Sequence, residues 1–158
     1  ACIIITTRST AAAFAGLGAI TCALSVKVIK KFIRQDRPVQ VNHAGRKKVT
    51  YGMPSTHSAA MSYYATFIVL ASWHLPLHRS LPTGPLMRIV PPVIAVPWAT
   101  VVIMSRVWLG HHTWPQVIAG ASYGVLFGSV WFTLWTNGLN QYGAELERLI
   151  EAFILGHL

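Results

Sequence analysis

Acidic residues are nearly missing from this chain of 158 residues: four Asp and Glu stand against thirteen Lys and Arg. So few carboxylates exclude a carboxylate cluster able to hold Mg²⁺. Charge of either sign is scarce, at 11% of residues, under half of the roughly one quarter usual for a soluble domain. That excludes an ordinary water-soluble fold. Cysteine is limited to Cys2 and Cys22, both in apolar sequence, which excludes a disulfide framework. Repeats, low-complexity tracts and nucleic-acid-binding motifs are absent. An initial methionine is absent too: the chain opens at Ala1 inside the apolar run ACIII. No basic stretch precedes that run, so it does not read as a signal peptide, and residues upstream are expected.

What remains is apolar. Hydrophobic residues make up 53% and the mean hydropathy is +0.48, the composition of an integral membrane protein. The expected fold is all-α: one polytopic membrane helix bundle over residues 1–158, with about four spans and a C-terminal amphipathic helix. Four stretches are long enough: about 10–29, 58–75, 89–109 and 114–135. Trp108, Trp114, Trp131 and Trp135 fall near span ends, where interfacial aromatics collect. After Asn137-Gly138, Glu145, Glu147 and Glu151 alternate with Leu146, Leu149, Ile150 and Phe153. That pattern predicts a helix lying on the membrane surface or against the bundle. Four spans put the first connection, 35–53, and the short third connection, 110–113, on the same side of the membrane. These two connections hold nearly all the unusual polar residues.

Three groups carry the chemistry. In the first, Lys30 and Arg37 are seven residues apart, two turns if the helix continues to Pro38, with Arg34 on the same face. Such cations either snorkel at a span end or converge on one doubly charged group. The wider cluster, with Lys31, Arg46, Lys47 and Lys48, favours anionic partners. In the second, Pro54-Ser55-Thr56-His57 precedes a span. This is either a plain helix cap or a phosphate cradle at a helix N-terminus, with His57 able to donate a proton. In the third, Arg106 sits near the end of an apolar span, a costly place for a charge. His112 precedes a helix that Thr113 can cap, and Gln116, four residues on, can hold its ring. The alternative is an interfacial histidine pair without a role.

The three groups in this order resemble the type 2 phosphatidic acid phosphatase superfamily, which also includes vanadium haloperoxidases. Its pattern is Lys, six residues, Arg-Pro; then Pro-Ser-Gly-His; then Ser-Arg, five residues, His, three residues, Asp. Lys30, Arg37 and Pro38 match the first motif. Pro54, Ser55 and His57 match the second, with Thr56 where glycine is usual. Ser105, Arg106 and His112 match the third, whose spacing selects His112 over His111. Gln116 stands where the pattern has Asp, and the chain's one Asp, Asp36, offers no obvious substitute. The stretches YGMPSTHS and SRVWLGHHTWPQV resemble the dolichyl diphosphate phosphatase branch, in which this Gln is usual.

The resemblance implies a metal-independent lipid phosphatase without cofactors that hydrolyses dolichyl diphosphate. His112 would be the nucleophile that becomes phosphohistidine, His57 the proton donor, and Gln116 the holder of the His112 ring. Lys30, Arg37, Ser55, Thr56 and Arg106 would bind phosphate. The partners implied are a polyprenyl diphosphate and membrane lipids, with no nucleic acid and no obligate protein partner. The location implied is the endoplasmic reticulum membrane with a lumenal site, although the positive-inside rule places the basic loop in the cytoplasm. Rival expectations are a phosphatase of phosphatidate or sphingoid phosphate, an inactive scaffold of this fold, and an anion transporter.

Overall fold

The computed structural model describes residues 9–38, 51–76 and 84–155. Cys2 and the basic residues Arg46, Lys47 and Lys48 lie outside them. Five α-helices follow in order: α1 (Thr10–Ile33), α2 (Thr56–His74), α3 (Leu86–Trp108), α4 (Trp114–Leu134) and α5 (Asn140–Leu155). Among the described residues the only β-type pairing is one antiparallel bridge, Asp36 to Tyr51. The all-α bundle expected from the sequence is therefore the architecture observed.

At 1.5 Å per residue, the 24 residues of α1 extend about 36 Å, enough for a hydrocarbon core about 30 Å thick. α1, α3 and a stretch beginning with α4 are long and apolar enough to cross a membrane. α2 is not, so among the described residues three helices rather than four meet that standard. The reason is its position. α2 packs against α1, α3 and α4, and Ser58, Ser62 and Tyr63 are buried among them. A helix wrapped by others needs no apolar coat of its own. The lipid-facing work falls to the outer helices, which expose Phe32, Ile94 and Leu126.

Polar groups buried in the bundle bond across helices. Tyr63 Oη, fully buried, donates to the Ala15 carbonyl at 2.8 Å. Trp131 Nε1 donates to the Phe14 carbonyl at 3.0 Å, and Tyr123 Oη donates to Ser25 Oγ at 2.6 Å. Around them Cys22, Val26, Ala59, Phe67 and Phe132 form the core. α4 approaches α2 through glycines. A Cβ on Gly120 would stand 2.5 Å from the Ser55 carbonyl oxygen, and one on Gly124 would run into the Ala59 carbonyl. Small residues allow such backbone approach within membranes.

Two expectations change in detail. α1 does not run on to Pro38. Arg34 adopts a left-handed conformation, φ 52°, and its N–H bonds the Lys30 carbonyl, which ends the helix after Ile33. Arg34 is exposed and turns its Nε back to the Lys31 carbonyl, so it does not share a face with Arg37. The prolines of α3, Pro91, Pro92 and Pro97, lie inside a continuous helix. Beyond a kink at Asn137-Gly138, α5 docks on the bundle. Glu147 Oε1 accepts from the Thr10 N–H at 2.6 Å and from Thr10 Oγ1 at 2.7 Å, an anion at the positive end of α1.

Gly124→Ala is expected to destabilise the protein by about 1–3 kcal/mol through overpacking against the α2 backbone. Thermal unfolding in detergent measures this, and an unchanged midpoint contradicts the close packing of α2 on α4.

Candidate functional site

Both polar connections meet at one end of the bundle. The chain after α1 pairs with the chain before α2: Gly52 N–H donates to the Gln35 carbonyl at 2.7 Å. The start of α2 pairs with the start of α4: Ser55 N–H donates to the Gln116 carbonyl at 3.0 Å. The shared side expected from span parity is thus what the backbone adopts.

Gln116 joins all of these pieces. It is 1% exposed. Its Oε1 lies 3.1 Å from His112 Nδ1 and accepts from the Thr113 N–H at 3.3 Å. Its Nε2 donates to the Asp36 carbonyl at 2.9 Å and to Gln35 Oε1 at 3.3 Å. An amide has two acceptor and two donor positions, and here all four are engaged. With Oε1 as acceptor, Nδ1 of His112 carries the proton. Nε2 then keeps its lone pair. The four-residue spacing predicted the His112 contact. Its anchors, Gln35 and the Asp36 carbonyl, were not foreseen. Nor was Gly52, where a Cβ would stand 2.5 Å from Gln116 Nε2.

This arrangement gives Gln116 bonds that a carboxylate at position 116 could not make. The Asp36 carboxyl is exposed, and what reaches the site is its backbone oxygen. An Asp side chain would be one methylene too short and would have no N–H for that oxygen.

The cations converge by a different route from the helical one expected. Lys30 is buried in the last turn of α1. Arg37 is carried by the extended chain beyond Arg34, and its Nε donates to the Tyr51 carbonyl at 3.3 Å. Arg106 lies in the last turn of α3, where its carbonyl accepts the N–H groups of His111 and His112. Its Nε–H is buried with no acceptor among the described residues.

Ser55 is fully buried and caps α2, accepting the Ser58 N–H at 3.4 Å. The helix cap expected within Pro54-Ser55-Thr56-His57 is thus Ser55. Thr56 and His57 form the first turn of α2, where backbone N–H groups lack partners within the helix.

Burial and charge act together at this end of the bundle. His57 lies at the polar end of α2. Burial presses its pKa below the ordinary 6.5, and Arg106, Lys30, Arg37 and His111 add to the effect. Burial pushes His112 down to about 4, with Arg37, Lys30 and His57 acting the same way and the Gln116 bond opposing them. Both imidazoles are therefore neutral near pH 7 in the free protein. A pocket with three cations and a helix N-terminus suits an anion, whereas a metal ion would be repelled.

The sequence pattern of the PAP2 superfamily matches residues 11–139. The chain belongs to the PAP2 superfamily. Dolichyldiphosphatase 1 of Dictyostelium discoideum is 32% identical over 120 residues, covering 73% of this chain and 48% of that protein. Lipid phosphate phosphatase epsilon 1, chloroplastic, of Arabidopsis thaliana is 31% identical over 154 residues, covering 96% of this chain and 51% of its own length. Dolichyldiphosphatase of Saccharomyces cerevisiae is 32% identical over 136 residues, 81% of this chain and 53% of that one. The chain spans about half the length of these PAP2 relatives. No solved structure matches it significantly.

Gln116→Glu is expected to raise the His112 pKa from about 4 by about one unit or more, since an anion beside the ring favours imidazolium. Ring NMR of labelled histidine measures it, and an unmoved titration contradicts the Gln116–His112 bond.

Proposed function

We propose that this PAP2 protein is a lipid phosphatase that hydrolyses dolichyl diphosphate to dolichyl phosphate and inorganic phosphate. The observation that carries the reading is His112, buried, neutral and held at Nδ1 by Gln116, beside Lys30 and Arg37, with Arg106 acting on the neighbouring His57. Deprotonated Nε2 is the nucleophile a phosphoryl transfer needs. The cations, with the Arg106 Nε–H and the first N–H groups of α2, neutralise charge on the transferring phosphoryl group. Ser55 and Thr56 bound that cradle.

The steps balance simply. Nε2 of His112 attacks the terminal phosphorus in line. The bond from phosphorus to the bridging oxygen breaks, and dolichyl phosphate leaves with a proton from the His57 imidazolium, a form that the bound phosphate anion favours. Water then attacks the phosphohistidine while His57 takes its proton, and inorganic phosphate leaves. Gln116 keeps the ring in one tautomer throughout. Fixed cations here do the electrostatic work that Mg²⁺ does in many phosphoryl transfers.

The diphosphate substrate is supported by the dolichyldiphosphatase relatives and by Gln116 in place of Asp. The lipid phosphate phosphatase of Arabidopsis, at similar identity, favours a second reading: hydrolysis of phosphatidate or a related lipid monophosphate. Location in the endoplasmic reticulum, with the site toward the lumen, belongs to the first reading alone.

Phosphate release from membranes with EDTA present tests the proposal, comparing dolichyl diphosphate with phosphatidate. Preference for the diphosphate is expected. Loss of at least about 10²-fold is expected in His57→Ala, and a larger loss in His112→Ala. Equal use of phosphatidate overturns the substrate, and activity retained in His112→Ala overturns the mechanism.

The pH profile is a separate check. kcat/KM reports the free enzyme, so it should fall as pH drops through about 4, where His112 protonates. It should also fall as pH rises through a value below 6.5, where His57 loses its proton. The alkaline limb should vanish in His57→Ala. An alkaline limb retained in that variant assigns proton donation elsewhere.

A further inference from the structure

An open-sided groove of about 320 Å³ lies between α2 and α3, with Val125 of α4 behind it. Its walls are two helical stripes. Ser62, Thr66 and Val69 line it from α2, and Val96, Ala99 and Ile103 line it from α3. The spacings of three, four and seven put each set on one helix face. Each stripe continues into the phosphate site. Four residues before Ser62 is Ser58, whose hydroxyl donates to Ser55 Oγ at 2.9 Å. Three residues after Ile103 is Arg106. The groove therefore descends from the cationic cradle along the same two helix faces that carry it.

We propose that this groove holds the first isoprene units of the substrate's tail, so that α2 and α3 recognise phosphate and hydrocarbon together. The proposal rests on the phosphatase reading above. Three observations favour a substrate tail as the occupant over another lipid chain. The groove is continuous in register with the phosphate-binding residues. It opens sideways, where a membrane-held chain can enter. Its small residues, Ala65 and Ala99, leave room for methyl branches. From Ser62 to Val69 it follows about 10 Å of helix, a length suited to the start of a tail and not to all of it.

The test compares farnesyl diphosphate, with three isoprenes, and isopentenyl diphosphate, with one. The purified protein is assayed in nanodiscs. Ala65→Leu and Ala99→Leu fill the groove, and each is expected to lower the ratio of kcat/KM for farnesyl over isopentenyl by about tenfold or more. An unchanged ratio in both variants overturns the proposal. If wild type hydrolyses neither these nor dolichyl diphosphate, the phosphatase reading falls and the groove assignment falls with it; hydrolysis of dolichyl diphosphate alone overturns the groove assignment only. If the leucine variants do not fold, wild type decides. A farnesyl diphosphate analogue with a diazirine on its tail should label residues within 62–70 or 96–103, and labelling confined to other helices overturns the proposal.

Discussion

One buried amide holds the candidate site together. Gln116 touches the chain leaving α1, the ring of His112 and the start of α4, and its own carbonyl fixes Ser55 at the start of α2. Each such hydrogen bond contributes only about 0.5–1.5 kcal/mol net, but a partner left unsatisfied in a buried place costs about 1–3 kcal/mol. The arrangement is therefore cooperative: moving one loop strands polar groups on the others. The same amide sets the His112 tautomer. Architecture and, in the proposed mechanism, reactivity thus depend on one side chain.

That dependence bears on the departure from the family pattern at position 116. Where the pattern's Asp would stabilise an imidazolium by charge, Gln116 orients the ring and leaves it uncharged. In a pocket that already gathers Lys30, Arg37 and Arg106, a neutral His112 is what electrostatics favours. In the proposed mechanism the cations lower the cost of bringing in a phosphate dianion, and the neutral ring attacks it. The lost carboxylate is offset by a backbone that an amide can hold and a carboxylate cannot. This geometry supports catalysis with Gln116 and weakens the reading of the chain as an inactive scaffold.

Much of this was legible in the sequence, for reasons that can be named. The three polar groups stood out because each interrupts apolar sequence, and their spacing matched a known motif set. The His112–Gln116 contact was legible because a four-residue offset is local geometry. The route of Arg37 into the site was not, because it depends on Arg34 taking a left-handed conformation that non-glycine residues seldom adopt. Gly52 was not legible either, since the side chain it makes room for lies 64 positions away in sequence. α2 read as a fourth apolar span, yet its polarity is that of a helix enclosed by three neighbours. Periodicity reports which face is apolar, but not what covers the rest.

The central claim is that His112 reacts through Nε2 because Nδ1 is committed to Gln116. Its most direct test is to quench turnover of dolichyl diphosphate in alkali and map the phosphoryl group by mass spectrometry and ³¹P NMR. The account predicts phosphohistidine at residue 112, phosphorylated on Nε2. A phosphoryl group on Nδ1, or on His57 or His111, would contradict it.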